Sequence, residues 1–196
     1  MENPAYRLNE YPNGYQDERP TELVNGTIIT MAPPVTNHTR VLINITVAFG
    51  NYLKGKPCEQ LIETNLHLSK NDRLRPDHMI ICKPDIIKAN GVHGTPDLIV
   101  EILSPSTKAR DRGYKKNLYE QCGVREYWIV DVTSRSIEVY LLAGSKLELA
   151  QVYEIYPEYM LENMPDEEVA AIPLEFKTSL FNDLVINLED VFRGVQ

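Results

Sequence analysis

P-D-L-I-V-E-I-L-S-P-S-T, residues 96–107, is the stretch that determines the fold of this chain. Leucine, isoleucine and valine follow one another almost without interruption over residues 98–103, which predicts a β-strand covered on both faces. Glu101 lies in the middle of that run. An ionised carboxylate is costly to bury unless it is ion-paired, hydrogen-bonded or bound to a cation. We therefore expect Glu101 to have either a functional partner or a structural salt bridge.

The residues after this strand predict a crossover to a parallel neighbour. S-P-S-T, residues 104–107, is typical of a turn and a helix start, because proline is tolerated in the first turn of a helix. A helix is predicted over 108–122, with Gly123 as its stop, and a second apolar strand over 126–132. A helix that joins two strands in this way places them parallel, side by side or nearly so.

The remaining elements predict a mixed α/β fold. Asn25-Gly26 between two apolar runs is a strong signal for a type I′ β-hairpin. Apolar residues at helical spacing predict a helix over 37–53. The other predicted elements are strands over 60–68, 77–82 and 136–142, an acidic loop over 165–168 and a short helix over 188–192.

The length of 196 residues suits one domain with a sizeable core. We expect a single α/β (mixed α+β) domain over 1–196, with a mixed central β-sheet flanked by helices and an N-terminal β-hairpin. An irregular arm is predicted for residues 1–20 and a variable C-terminal part for residues 145–196.

The charge balance is acidic, with 28 Asp and Glu against 20 Lys and Arg and a net charge of −8. This argues against broad nonspecific attraction to nucleic acid, but it is compatible with a local basic patch beside an acidic metal site. No apolar run approaches the roughly 18 residues of a membrane span, and the N-terminus lacks the order of a signal peptide. We expect a cytoplasmic protein with no membrane partner.

The three cysteines, Cys58, Cys82 and Cys122, are far apart in the sequence. They have no CxxC pair and no zinc-ligand spacing. We expect reduced, mostly buried thiols.

Two carboxylates from neighbouring strands are the candidate metal ligands. Asp77 begins one predicted strand, and if that strand pairs with the one over 97–103, Asp77 and Glu101 face the same side of the sheet. Such a pair binds Mg²⁺ well, because this ion prefers hard oxygen ligands and retains waters. Asp97 shares a face with Glu101 but lies about 13 Å away on a regular strand, which favours a capping or supporting role.

The predicted helix over 108–122 supplies positive charge next to these acids. Lys115, one or two turns into the helix, is placed to lean back over Glu101. Lys108 and Arg112 are candidate contacts for substrate phosphates, and Glu22 and His38 are accessory candidates, His38 as a general acid or base. Each residue also has a simpler interpretation, such as a solvated helix lysine, a surface strand residue or an aspartate in a common Pro-Asp turn.

Several of these motifs together resemble the Uma2 (DUF820) family of restriction-endonuclease-like proteins. The resemblance covers roughly residues 20–145. The matching stretches are E-L-V-N-G-T-I (22–28), His38, R-P-D (75–77), the strand motif over 96–107, D-R-G-Y-K (111–115), Tyr119, G-V-R-E-Y-W-I-V-D (123–131) and I-E-V-Y (137–140).

This resemblance implies the PD-(D/E)XK nuclease fold and Mg²⁺- or Mn²⁺-dependent hydrolysis of phosphodiester bonds, with DNA as the partner. It assigns the motif acids to Asp77 and Glu101. The motif lysine should follow the glutamate by two residues, but Leu103 occupies that place. Some members of the superfamily supply the lysine from the following helix, which makes Lys115 the candidate.

Three functions stay open from the residues alone. The first is a metal-dependent endonuclease acting on DNA, and the second is a non-catalytic protein that keeps the fold as a nucleic-acid-binding or assembly module. The third is an enzyme that uses the same acidic site on another phosphoester, such as RNA. Exposed sheet edges and an apolar tail also suggest a homodimer.

Overall fold

The computed structural model describes residues 19–196, so the predicted N-terminal arm lies outside the described residues except for its last two positions. The strands are β1 (Thr21–Val24), β2 (Thr27–Thr30), β3 (Glu59–Ile62), β4 (Leu66–His67), β5 (Arg73–Leu74), β6 (His78–Ile81), β7 (Ile87–Lys88), β8 (Gly91–His93), β9 (Leu98–Ile102), β10 (Glu126–Asp131), β11 (Ser136–Ala143), β12 (Lys146–Glu154), β13 (Glu175–Lys177) and β14 (Val185–Asn187). The helices are α1 (Thr36–Leu53), α2 (Lys108–Arg110), α3 (Lys116–Cys122), α4 (Glu158–Leu161), α5 (Asp166–Ala170) and α6 (Leu188–Val191).

The strands of the described part form three sheets. We call the sheet with strand order β2-β1-β5-β4-β8-β7 the N-terminal sheet and the one with order β12-β11-β10-β9-β6-β3 the central sheet. The strands β13 and β14 form a separate antiparallel pair. The predicted hairpin is confirmed: β1 pairs with β2 through a turn in which Asn25 and Gly26 have φ values of 47° and 76°. Positive φ at both positions is the requirement of a type I′ turn.

The predicted crossover is also confirmed. The strands β9 and β10 are parallel neighbours, with Leu98 opposite Glu126 and Glu101 opposite Ile129. The helical segment between them begins with α2, passes through a π-helical turn at Asp111–Lys115 and ends with α3. Gly123 terminates it with a φ of 81°, the left-handed conformation that glycine adopts without strain.

The central sheet is apolar on both faces, as the strand motif predicts. Alternate residues of β9 point to opposite sides. Leu98 and Val100 belong to a cluster under α1 that includes Phe49 and Trp128. Ile99 belongs to a second cluster, which joins the central sheet to the N-terminal sheet and to α3.

Two predicted elements are wrong. The single strand over 60–68 is two strands, because Glu63 has a φ of 42° and turns the chain out of β3 and into β4, which belongs to the other sheet. The acidic loop over 165–168 is largely helical, since α5 begins at Asp166. The strand β12 was not predicted, because its alternating pattern is weak and most of its residues are exposed.

The prediction of reduced cysteines is wrong for two of the three. Cys58 and Cys82 form a disulfide with a Cα–Cα distance of 4.0 Å, whereas Cys122 is a free thiol. The strands β3 and β6 pair with Glu59 opposite Ile81, and one further step of this register brings the two cysteines face to face. Their separation of 24 residues in sequence hides this proximity.

None of the helices within residues 19–196 is long and apolar enough to cross a membrane.

The packing under α1 gives a direct test of the fold. Phe49 is fully buried, with its ring centroid 5.7 Å from that of Trp128, whereas Ile43 on the same helix is 54% exposed. We expect Phe49→Ala to lower the free energy of unfolding by about 3–5 kcal/mol, because it leaves a cavity. The matched control Ile43→Ala should change it by only about 0.5 kcal/mol. Urea unfolding of both variants measures the difference, and equal effects would contradict this packing.

Candidate active site

The paired strands β6 and β9 bring the two predicted metal ligands together. The register places His78 opposite Val100, and the next step places Asp77 opposite Glu101. Residues that lie opposite each other on antiparallel strands point to the same face, with their Cβ atoms about 5 Å apart. The expectation that these two acids share one face of the sheet therefore agrees with the structure. Both side chains are buried.

The ammonium group of Lys115 reaches Glu101. The Nζ–Oε1 distance is 3.0 Å, and the same Nζ lies 2.9 Å from Oε1 of Glu22 and 3.5 Å from Oδ1 of Asp111. Lys115 is only 2% exposed, so solvent does not screen these interactions. Burial alone lowers the pKa of Lys115, but the three carboxylates around it reverse the effect, and the net shift is upwards. The lysine is therefore a permanent buried cation.

The π-helical turn positions Lys115 together with an acid that the sequence analysis did not select. Asp111 begins this turn and Lys115 ends it. Both are buried, and neither carboxylate oxygen of Asp111 accepts a hydrogen bond from the described residues, 19–196. Single π-helical turns within α-helices are frequent at functional sites. The sequence signals for Asp111 are its place at the start of the matching stretch D-R-G-Y-K and its i, i+4 spacing from Lys115, and that spacing is equally typical of a solvated helix.

Tyr119 is a second residue of the cluster that belongs to the family resemblance but was not selected as a site residue. Its hydroxyl donates a hydrogen bond to Oε1 of Glu101 at 2.7 Å, one turn of helix after Lys115. Burial, and next the charge of Glu101, raise the pKa of Tyr119 well above 10. The phenol is therefore a fixed donor. Both polar contacts of the Glu101 side chain end on Oε1, and Oε2 accepts no hydrogen bond from residues 19–196.

Glu22 brings the N-terminal sheet into the site. It lies in β1 and is 2% exposed. Its Oε1 accepts a hydrogen bond from the backbone N–H of Arg75 at 3.0 Å, and its Oε2 lies 3.7 Å from the guanidinium of Arg110. The residue is therefore a buried member of the cluster around Lys115 and not a surface strand residue.

Asp77 and His38 form a pair at the edge of the same cluster. Nε2 of His38 lies 3.3 Å from Oδ1 of Asp77, while Oδ2 of Asp77 accepts a hydrogen bond of 2.6 Å from the backbone N–H of Ile102. Burial lowers the pKa of His38, but the hydrogen bond and charge of Asp77 and the charge of Glu63 outweigh it, and the net shift is upwards. The other ring nitrogen, Nδ1, is buried and has no hydrogen-bond partner in the part of the chain that the structure describes.

The other predicted residues lie outside this cluster. Asp97 accepts a hydrogen bond from the backbone N–H of Cys82 and pairs with Arg125 at 3.6 Å, which matches its expected capping role at the start of β9. Arg112 is held by Glu138 at 2.5 Å and is not directed at the acids. Lys108 forms no ion pair with residues 19–196 and is exposed at the start of α2.

The cluster has more negative than positive groups. Glu22, Asp77, Glu101 and Asp111 are buried carboxyl groups, and Lys115 and Arg110 are the permanent cations beside them. Burial raises the pKa of Glu101 well above 4.5. The Lys115 charge opposes this shift, and the Asp111, Asp77 and Glu22 charges add to it. The site therefore retains a proton or takes up a further cation.

The donor set fits a divalent ion of the Mg²⁺ class with few protein ligands. Asp77 and Glu101 supply hard oxygens from adjacent strands, and Mg²⁺ usually keeps several waters and binds one or two carboxylates. Within residues 19–196 there is no group of three or more His, Cys, Asp or Glu side chains arranged to hold a metal ion. The two-carboxylate arrangement with water completing the coordination is the one that these residues can provide.

Comparisons with known proteins agree with this fold and motif set. The family model Uma2, described as "Putative restriction endonuclease", matches residues 7–172. An uncharacterized protein from Synechocystis sp. is 32% identical over 128 residues, which is 61% of this chain and 64% of that protein. This chain thus aligns with less than two thirds of that relative's length.

A solved structure is similar over most of both chains. It is the crystal structure of a putative nuclease belonging to DUF820 from Anabaena variabilis, with a TM-score of 0.68 at 18% identity. The match covers 91% of this chain and 92% of that one. This likeness confirms the predicted fold class.

The buried charge of Glu101 makes a prediction about stability and pH. A carboxyl group whose pKa is higher in the folded than in the unfolded state binds more protons when folded, so its contribution to stability falls as pH rises above its unfolded pKa. We expect Glu101→Gln to gain stability relative to the wild type between pH 4.5 and neutral pH. The gain should be about 1.4 kcal/mol for each unit by which the pKa is raised.

Urea unfolding across this pH range measures the difference. Glu59→Gln is the matched control, because Glu59 is an exposed strand glutamate and its replacement should give a flat difference. If the difference in unfolding free energy between Glu101→Gln and the wild type also did not change with pH, it would contradict a raised pKa for the buried Glu101 carboxyl group.

Proposed function

This chain belongs to the Uma2 family, and on that premise we propose that it is a Mg²⁺- or Mn²⁺-dependent endonuclease that hydrolyses phosphodiester bonds of DNA. The observation that carries the proposal is the contact of Lys115 with Glu101 at 3.0 Å. The strand position at which the motif lysine is expected holds Leu103, which is buried in the core. The helical segment thus brings a lysine to Glu101 from a different place in the sequence, which supports the proposal.

In this proposal Asp77 and Glu101 hold the metal ion, and Lys115 acts beside them. The ion, when bound, lowers the pKa of a coordinated water and stabilises charge on the phosphate. Lys115 orients Glu101 and stabilises negative charge that develops on the reacting phosphate. Glu22 and Asp111 hold the ammonium in place, and Tyr119 fixes one oxygen of Glu101, leaving the other available.

His38 is the proposed proton carrier at the edge of the site. It is 8% exposed, less enclosed than Glu101 or Lys115, and its Nε2 contacts Asp77. A raised pKa favours a protonated imidazole, which suits a general acid or a phosphate contact. Lys108, exposed at the start of α2, is the proposed substrate contact on the helix side. Arg112 is a weaker candidate, since Glu138 already pairs with it.

A non-catalytic nucleic-acid-binding or assembly module is the second candidate, and one observation favours it. The ammonium group of Lys115 is surrounded by three carboxylates, those of Glu22, Glu101 and Asp111. A lysine held in this way is also what a purely structural buried network would contain. RNA as an alternative substrate, a homodimer and a cytoplasmic location stay predictions from the sequence.

Cleavage assays separate the two candidates. We expect wild-type protein with Mg²⁺ or Mn²⁺ to cut plasmid DNA, and Asp77→Asn, Glu101→Gln and Lys115→Met each to lose about a hundredfold or more in rate. Glu59→Gln, which removes an exposed carboxylate on the edge strand β3, should cut normally. Robust cleavage by both Asp77→Asn and Glu101→Gln would refute the site assignment, and a parallel panel of RNA substrates tests the substrate class.

Metal binding has a readout that does not depend on activity. A ligand that binds only the folded state stabilises it by about 2.7 kcal/mol at a hundred times its dissociation constant. We expect Mg²⁺ or Mn²⁺ to raise the melting temperature of the wild type and of Glu59→Gln. Glu101→Gln and Asp77→Asn should lose this shift. An equal shift in all four proteins would place the ion elsewhere.

A further inference from the structure

The outer face of the N-terminal sheet carries a row of cationic and aromatic side chains. Leu66, Leu74 and Val92 are fully buried against the central sheet, so the residues next to them in sequence point outwards. The register places Arg73 beside His67 on one side and beside Leu23 on the other. His67 in turn lies beside His93, and their rings stack with centroids 4.3 Å apart and planes inclined by 11°.

A second outward row lies one step along the strands. Lys88 pairs with Gly91 across β7 and β8. Gly91 lies beside Asn65, so closely that an added Cβ atom would be 2.4 Å from the Asn65 carbonyl oxygen. Continuing the register of β4 and β5 by one residue places Asn65 next to Arg75. Arg75 and Lys88 thus lie at opposite ends of a row about 14 Å long, which is three interstrand spacings.

This face is free of strand carboxylates although the protein is acidic. The six strands of the N-terminal sheet contain a single acidic residue, Glu22, and that residue points inwards to the candidate active site. Arg73, Arg75 and Lys88 form no ion pair with any residue of the described range; Lys88 donates to a backbone carbonyl and Arg73 to the hydroxyl of Thr21. A local excess of positive charge in a chain of net charge −8 is the electrostatic footprint of a polyanion site.

The basic face is connected to the candidate active site through the backbone. The N–H of Arg75 donates to Glu22 at 3.0 Å, and Asp77 follows Arg75 by two residues. Arg75, at one end of the second row, therefore lies next to two acids of the candidate active site, Glu22 and Asp77. Each strand of duplex DNA has one phosphate per roughly 3.4 Å of helix axis, so a row of about 14 Å is as long as a duplex segment with about four phosphates on each strand.

We infer that the outer face of the N-terminal sheet, with Arg73, Arg75, Lys88 and the exposed His93 ring that stacks on His67, binds the phosphate backbone of duplex DNA next to the site of cleavage. This inference rests on the proposed function, because it takes the polyanion to be the substrate. Contacts of this kind position a duplex without reading its sequence. Among the described residues of this sheet, Ile28 in the edge strand β2 is the one large apolar side chain that is strongly exposed. A face with so little exposed apolar surface favours a polyanion over a lipid surface as its partner.

The test is the salt dependence of DNA binding, measured by fluorescence anisotropy of a labelled duplex in the presence of EDTA. The Glu101→Gln protein is the background, so that cleavage cannot interfere. We expect Arg75→Gln/Lys88→Gln to reduce the slope of log affinity against log salt by about 1.8, since each phosphate contact contributes about 0.9. The matched control is Lys54→Gln/Lys177→Gln, which removes two exposed lysines outside this sheet and should leave the slope unchanged.

The outcomes separate the inference from the function on which it rests. Equal slopes for the two double variants overturn the docking surface, even if the protein cuts DNA through Glu101. A reduced slope for Arg75→Gln/Lys88→Gln alone supports the surface, even if Glu101→Gln proves not to affect cleavage. Vesicles of phosphatidylserine and phosphatidylcholine are the second probe. Loss of vesicle binding by Arg75→Gln/Lys88→Gln without loss of DNA binding overturns the assignment to DNA. Melting temperatures check that both double variants are folded.

Discussion

The buried ammonium group of Lys115 is the interaction on which the rest of the structure depends. It contacts Glu22 from the N-terminal sheet, Glu101 from the central sheet and Asp111 from its own helical turn. An unpaired charge in such a position is strongly destabilising, so all three elements must approach one atom to within ion-pair distance. The Nζ atom of Lys115 thereby fixes the relative placement of the two sheets and the helical turn. The same three contacts hold the fold together and arrange the side chains of the candidate site.

The strand pattern was sufficient to predict the central part of the fold and half of the site. The uninterrupted apolar run around Glu101 predicted a strand buried on both faces, and the helix after it predicted a parallel neighbour; both are confirmed. The shared face of Asp77 and Glu101 was predicted on the condition that their two strands pair, and the register of β6 and β9 meets that condition. These predictions are confirmed for one reason: a strand buried on both faces needs apolar residues at nearly every position, and such a run is visible within a few consecutive residues of the sequence.

The features that could not be predicted depend on geometry at a distance. Whether Lys115 reaches Glu101 depends on a π-helical turn, and no residue type marks one. Asp111 resembles any helix aspartate until that turn buries it. The disulfide between Cys58 and Cys82 becomes evident only when β3 and β6 are paired. The predicted strand is interrupted at Glu63 because this residue has a positive φ, which a glutamate rarely adopts.

The turn at Glu63, which separates β3 from β4, ties the assembly of the candidate site to the packing of the two sheets. The chain leaves the central sheet there, builds part of the other sheet and returns at Asp77, whose carbonyl accepts a hydrogen bond from the Glu63 N–H at 3.1 Å. Glu22 and Glu101 therefore lie on different sheets, and the Lys115 ammonium group contacts both of them only when the two sheets are packed together. On the proposed function, a half-folded chain lacks the Glu22 contact that helps to hold Lys115 beside Glu101. The complete cluster around Lys115 therefore forms only with the packing of the two sheets, which couples the late stage of folding to the assembly of the site.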